Sequence, residues 1–167
     1  MKLPLVAAAL VTLTAGGGLA LALTRRRYVV VTVDGVSMLP TLAAGDRVLV
    51  RRSALARVRA GDLVVSRPPT GGRWDAMTLP AWLIKRAVAV PGDPVPGHVV
   101  LDVPERPGAP VPPGRVVLLG DNPAESLDSR HCGYFGEHQI VGVVVRRLAH
   151  RDPARRPNAS LNDPNTS

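Results

Sequence analysis

The chain has 167 residues, one cysteine and a formal net charge of +8. That length suits one domain with an anchor or a tail and excludes two large domains. A hydrophobic content of 46% excludes a wholly disordered chain, and the single cysteine excludes an internal disulfide and a multi-cysteine zinc site.

Residues 3–23 carry no charge and are long enough to span roughly 30 Å of hydrocarbon as a helix. Lys2 precedes the segment and Arg25, Arg26 and Arg27 follow it. A cleaved signal peptide is the alternative, but no clear polar region precedes a cleavage site, which favours a retained anchor over residues 1–27. By charge alone, the three arginines place the C-terminal part in the cytoplasm.

From Tyr28 the pattern changes to short β-branched runs separated by turns. It predicts strands at Tyr28–Val33, Arg47–Val50, Leu63–Ser66, Leu83–Val90, His98–Val103, Arg115–Leu119 and Ile140–Arg147. Gly-Asp occurs at 45–46, 61–62, 92–93 and 120–121. The first three lead into or link strands, where glycine takes a positive φ and aspartate closes a turn. Seventeen prolines discourage long helices. Residues 28–150 therefore read as an all-β domain, and 151–167 as a disordered tail without apolar periodicity. The domain holds 14 Lys+Arg and 11 Asp+Glu, so most of the positive charge lies in the flanks and tail. With only five aromatic residues, no nucleic-acid partner is expected.

Three stretches carry chemistry. In Asp34-Gly35-Val36-Ser37-Met38-Leu39-Pro40-Thr41-Leu42, a serine follows a strand on a turn that can expose its hydroxyl; taken singly, Ser37 also reads as a polar turn residue. In Leu83-Ile84-Lys85-Arg86-Ala87-Val88-Ala89, alternation puts Lys85, Ala87 and Ala89 on one face. A desolvated lysine there has a lowered pKa and can act as a base, whereas a snorkelling surface lysine would not. Of 21 basic residues 19 are arginine, and Lys85 is the one lysine beyond Lys2. Arginine does not deprotonate in proteins, so the exception is informative. In Gly120-Asp121-Asn122-Pro123-Ala124-Glu125-Ser126-Leu127-Asp128-Ser129-Arg130, hydrogen-bonding groups crowd a loop that otherwise reads as an exposed turn.

In this order behind an apolar segment, the motifs resemble the type I signal peptidases, serine–lysine membrane proteases that remove signal peptides. Gly35 to Leu42, Gly45-Asp46, Lys85-Arg86, Pro91-Gly92-Asp93 and Gly120 to Arg130 carry the resemblance. Self-cleaving repressors share the Ser-Met and Lys elements but not the long last motif or the span. The resemblance implies a mainly β fold of coiled antiparallel sheets after one N-terminal transmembrane helix. It implies Ser37 as nucleophile and Lys85 as base, with Ser126 holding the Lys85 amine. Asp121, Asp128, Arg130 and Arg86 would form a buried polar scaffold. The Ser37 N–H would be an oxyanion donor; the second donor is unassigned because Gly35 stands where some relatives carry serine. Met38 and Pro40 would shape the turn, and Met38, Ala87 and Ala89 would meet small substrate side chains. No cofactor or metal is implied.

The implied partners are signal-peptide-bearing preproteins and a lipid bilayer, with residues 74–82, which hold both tryptophans, at the membrane interface. The resemblance places the domain outside the cytoplasm, against the arginine count. Only 26 residues, 94–119, separate two motifs, leaving little room for an extra β domain and suggesting a narrow substrate range. Cys132 beside His131 raises a cysteine nucleophile, but neighbours on a strand point apart. A Ser–His–Asp hydrolase and a non-catalytic, membrane-anchored β module that binds exported peptides are the competing classes.

Overall fold

A computed structural model describes residues 27–101 and 108–148. Seven antiparallel strands form one sheet in the order β1-β2-β7-β3-β4-β5-β6. They are β1 (Tyr28–Thr32), β2 (Arg47–Arg52), β3 (Leu63–Ser66), β4 (Leu83–Ala89), β5 (Arg115–Leu119), β6 (Phe135–Gly136) and β7 (Ile140–Arg147). Alternation sets the register of the outer strands. In β2, Val48 and Val50 are buried while Arg47 and Arg51 face solvent. Central β3 is covered on both faces, so its run Leu63-Val64-Val65 is apolar without alternation.

Two apolar clusters lie on opposite faces of the sheet. One gathers Val31, Met38, Val48, Val50, Val65 and Ile84; the other gathers Leu55, Val64, Leu83, Ala87, Leu118 and Phe135. Burying each Val, Leu, Ile, Met or Phe side chain among them contributes about 1.5–3 kcal/mol. A third cluster joins Ala89 and Val117 to Val95, Val99 and Val111 beyond the end of β4.

Three Gly-Asp turns share one device. The carboxylates of Asp46, Asp62 and Asp93 accept the backbone N–H three residues earlier, from Ala43, Arg59 and Val90, at 2.9–3.0 Å. Gly45, Gly61 and Gly92 have φ of 88°, 94° and 90°. Glycine supplies the left-handed step and aspartate satisfies the amide left open by the reversal. Gly120-Asp121 departs from this pattern and is used in the site instead.

The expected strand His98–Val103 does not form over its described residues. Val99 donates to Pro96 O at 2.8 Å in a turn, and its side chain packs in the third cluster while Val100 is exposed. Val99 N is engaged in that turn, and the nearby pairing falls earlier in the chain, in a bridge between Pro94 and Pro110 where Val95 N donates to Ala109 O and Val111 N to Asp93 O. The expected loop ends in a one-turn helix, Ser129–Cys132, capped by the Asp128 carboxylate, which accepts from Arg130 N. His131 and Cys132 therefore lie on a helical turn, not on a strand. Among the described residues no helix is long and apolar enough to cross a membrane. The span read at 3–23 and the tail at 151–167 lie outside the described residues.

Candidate active site

Ser37 sits on the turn that follows β1, and Lys85 lies in the first half of β4. The Lys85 ammonium donates to Ser37 Oγ at 2.8 Å although the two are 48 residues apart in sequence. Lys85 is 2% exposed, which excludes a snorkelling surface lysine. Its neighbours on the same face, Leu83 and Ala87, belong to the apolar cluster against which Cys132 packs. Burial lowers the Lys85 pKa from its usual value. The Asp128 carboxylate and Cys132 oppose that shift, Arg130 adds to it, and burial prevails. Once the amine is neutral, its lone pair can take the Ser37 proton over the same short distance.

An open cleft of about 680 Å³ runs past this pair. It is lined by the chain from Val31 through Met38, by Thr78 through Lys85, and by Glu125 and Leu127. Met38 is almost wholly buried and serves both the cleft floor and the core. Ala87 and Ala89, expected to meet substrate, do not line the cleft. β5 pairs with β4 from Arg86 onward, and both alanines are fully buried in core clusters. Their small size serves strand packing.

The four charged residues expected as one buried scaffold form two separate pairs. Asp128 is fully buried and accepts from Arg130 Nε at 2.9 Å, Gly120 N at 2.9 Å and Ser126 Oγ at 2.7 Å. Burial pushes its carboxyl up, but these bonds outweigh it and hold the pKa below the usual carboxylate range. Arg86 and Asp121 make the second pair, through Nε at 2.8 Å and Nη2 at 2.6 Å. Adjacent strand residues point to opposite faces, so Arg86 leaves β4 on the side away from Lys85. Its hydrogen bond holds the Asp121 pKa down.

The expected hydrogen bond between Ser126 and the Lys85 amine is not made; the Ser126 hydroxyl donates to Asp128 Oδ2 at 2.7 Å, which places it on the carboxylate beneath the pair. It still lies close to the Ser37 turn. A Cβ on Gly120 would stand 2.2 Å from Ser126 Oγ and 2.7 Å from Ser37 O, so only glycine lets these segments meet. Two participants escaped the sequence reading. Thr41 donates from Oγ1 to Asp121, and Asn122 N donates to Ser37 O at 3.0 Å. Both stand inside the quoted motifs, but spacing gives no sign of whom they touch.

These features define a class: antiparallel β proteins that present a serine hydroxyl to a desolvated lysine, with no histidine bonded to the pair among the described residues. The sequence profile described as "Signal peptidase, peptidase S26" matches residues 5–99 and 97–149. "Probable signal peptidase I-1" of Synechocystis sp. is 31% identical over 130 residues, covering 67% of this chain and 66% of that protein. "Signal peptidase I" of Leptolyngbya laminosa is 29% identical over 155 residues, 81% and 76% of the two chains. "Mitochondrial inner membrane protease subunit 1" of Schizosaccharomyces pombe is 32% identical over 119 residues, 69% of each chain. The chain belongs to the signal peptidase family, peptidase S26, a family of serine endopeptidases.

Proposed function

We propose that this chain is a membrane-anchored serine endopeptidase that cleaves signal peptides, or the leader of one or a few exported proteins, with Ser37 and Lys85 as its dyad. The 2.8 Å contact between Ser37 Oγ and a buried amine at a cleft carries the reading. Neutral Lys85 takes the hydroxyl proton as Ser37 Oγ attacks the scissile carbonyl carbon. The tetrahedral oxyanion meets the Ser37 N–H, which makes no hydrogen bond to another described residue. Protonated Lys85 then passes its proton to the leaving amine, and the C–N bond breaks to leave an acyl-serine. In the second half Lys85 accepts a proton from water, the hydroxide attacks the ester, and the proton returns to Ser37 Oγ.

Substrate binding by strand addition is supported by unpaired sheet edge. β5 begins pairing with β4 only at Arg86, leaving one edge of Leu83–Lys85 open along the cleft. An extended peptide between that edge and the lining chain at 31–38 would present its carbonyl to Ser37. The domain lies outside the cytoplasm, where exported substrates emerge, despite Arg25–Arg27; protease accessibility on protoplasts tests that placement.

Cleavage of a synthetic signal-peptide substrate as a function of pH tests the dyad. The rate is expected to rise with pH through a limb set by Lys85, below the ordinary lysine range. Ser37→Ala and Lys85→Arg are each expected to abolish turnover while the circular dichroism spectrum is kept. Lys85→Arg preserves the charge but never supplies a lone pair. Full activity of either variant would overturn the dyad, and a wild type that binds the peptide without turnover would favour a non-catalytic binding module.

A further inference from the structure

The segment that follows β5 reaches back to the nucleophile turn through Asn122. Besides its backbone bond to Ser37 O, its side-chain Nδ2 donates to Val36 O at 3.2 Å. The acceptor is a carbonyl, so only the amide nitrogen of Asn122 can make this bond. Leu39 N donates to the same oxygen at 3.1 Å. Val36 C=O and Ser37 N–H belong to one planar peptide unit and point in opposite directions. Whatever orients the Val36 oxygen therefore orients the Ser37 N–H. The next peptide plane is held by Asn122 N on Ser37 O. Asn122 is itself seated by its neighbours: Gly120 N bonds the buried Asp128 carboxylate, and Asp121 is paired with Arg86 and Thr41.

We infer that Asn122 is a positioning residue for the oxyanion site: its amide fixes the Val36–Ser37 peptide plane and so aims the Ser37 N–H at the developing oxyanion. The inference rests on the serine-protease reading above. Its contribution is made in the transition state, because the charge on the substrate oxygen appears only there. Asn122 reaches Ser37 only at its backbone carbonyl, makes no hydrogen bond to Ser37 Oγ or the Lys85 amine, and is not among the groups that shift the Lys85 pKa.

The test compares full-length wild type, Asn122→Ala, Asn122→Asp and Ser37→Ala on one signal-peptide substrate, with a peptide aldehyde as transition-state analogue. The aldehyde forms a tetrahedral adduct whose oxygen uses the oxyanion donor. Asn122→Ala removes the Nδ2 bond, and Asn122→Asp sets a carboxylate against the Val36 carbonyl; both keep the backbone bond to Ser37. A fall in kcat of about 10- to 100-fold is expected, larger for Asp, with KM within about twofold of wild type. Aldehyde affinity is expected to fall in parallel, while the pH of the basic limb stays in place. Unchanged kcat, a change confined to KM, a shifted limb, or aldehyde affinity that holds while kcat falls would each overturn the inference. Thermal midpoints are measured for each variant, and Asn122→Ala is read below its own midpoint, so that loss of fold is not counted as loss of alignment. A wild type without turnover, or Ser37→Ala as active as wild type, would overturn the protease reading and the inference together.

Discussion

Lys85 costs the fold stability for the sake of its chemistry. Its pKa is lowered by burial, so between that value and the ordinary lysine value the unfolded chain binds more protons than the folded one. Stability attributable to this residue therefore rises with pH across that window and is lost as pH falls toward the folded pKa. Lys85→Met keeps the volume and removes the titration. We expect the variant to melt higher than wild type at neutral pH, with the gap narrowing as pH is raised toward the lysine range. Thermal melts at a series of pH values check this, and a gap that is flat or widens with pH would contradict it. A lone lysine in a chain that otherwise uses arginine was legible as an anomaly. Alternation offered a desolvated lysine beside a snorkelling one, and only the structure separates them, because burial depends on an apolar cluster assembled from distant parts of the chain.

Turns and strands divide the work of building the site. Three Gly-Asp turns close on their own backbone, and the fourth sends its aspartate to Arg86. The identical dipeptide thus has a local role or a long-range one depending on what lies opposite. Asp46 combines both: its buried carboxylate accepts from Ala43 N and also from Arg147 Nη2 at 2.8 Å, tying the turn after β1 to the end of β7. Asp46→Asn replaces one acceptor with a donor and sets it against another donor. The expected loss is about 1–3 kcal/mol, read as a lower urea midpoint at unchanged slope. An unchanged midpoint would show that the turn needs only glycine. Strand positions were readable wherever β-branched residues ran between such turns. The exception, His98–Val103, has the right side chains, but Val99 N is taken up by a turn to Pro96 O and the local pairing falls at Pro94 and Pro110 instead.

Taken as a molecule, the domain gathers exposed apolar groups beside its cleft. Met77 is 49% exposed and Trp82 36%, and Trp82 lines the cleft with Leu79 and Pro80. Val30 and Val36 are also exposed. Indole rings at a protein surface favour the interfacial layer of a bilayer. A chain beginning at residue 28 is therefore expected to bind liposomes, and the Trp74→Ser, Trp82→Ser double variant to bind them more weakly. Co-sedimentation at fixed lipid measures this, and equal binding by both forms would rule out a role for the two tryptophans.

Strand identity, turn chemistry and the residue types of the site are written in local order: periodicity, Gly-Asp pairs and motif spacing are properties of neighbours along the chain. Contacts between motifs are not. Ser37 meets Lys85 because the turn after β1 lies against β4 once the sheet has formed. The same geometry turns Ser126 toward Asp128, buries Ala87 and Ala89 away from the cleft, and splits the four charged residues into two pairs. Hydrogen bonds and burial depend on distance in space, and among seven antiparallel strands that distance is set by sheet order and register, which no local stretch encodes by itself.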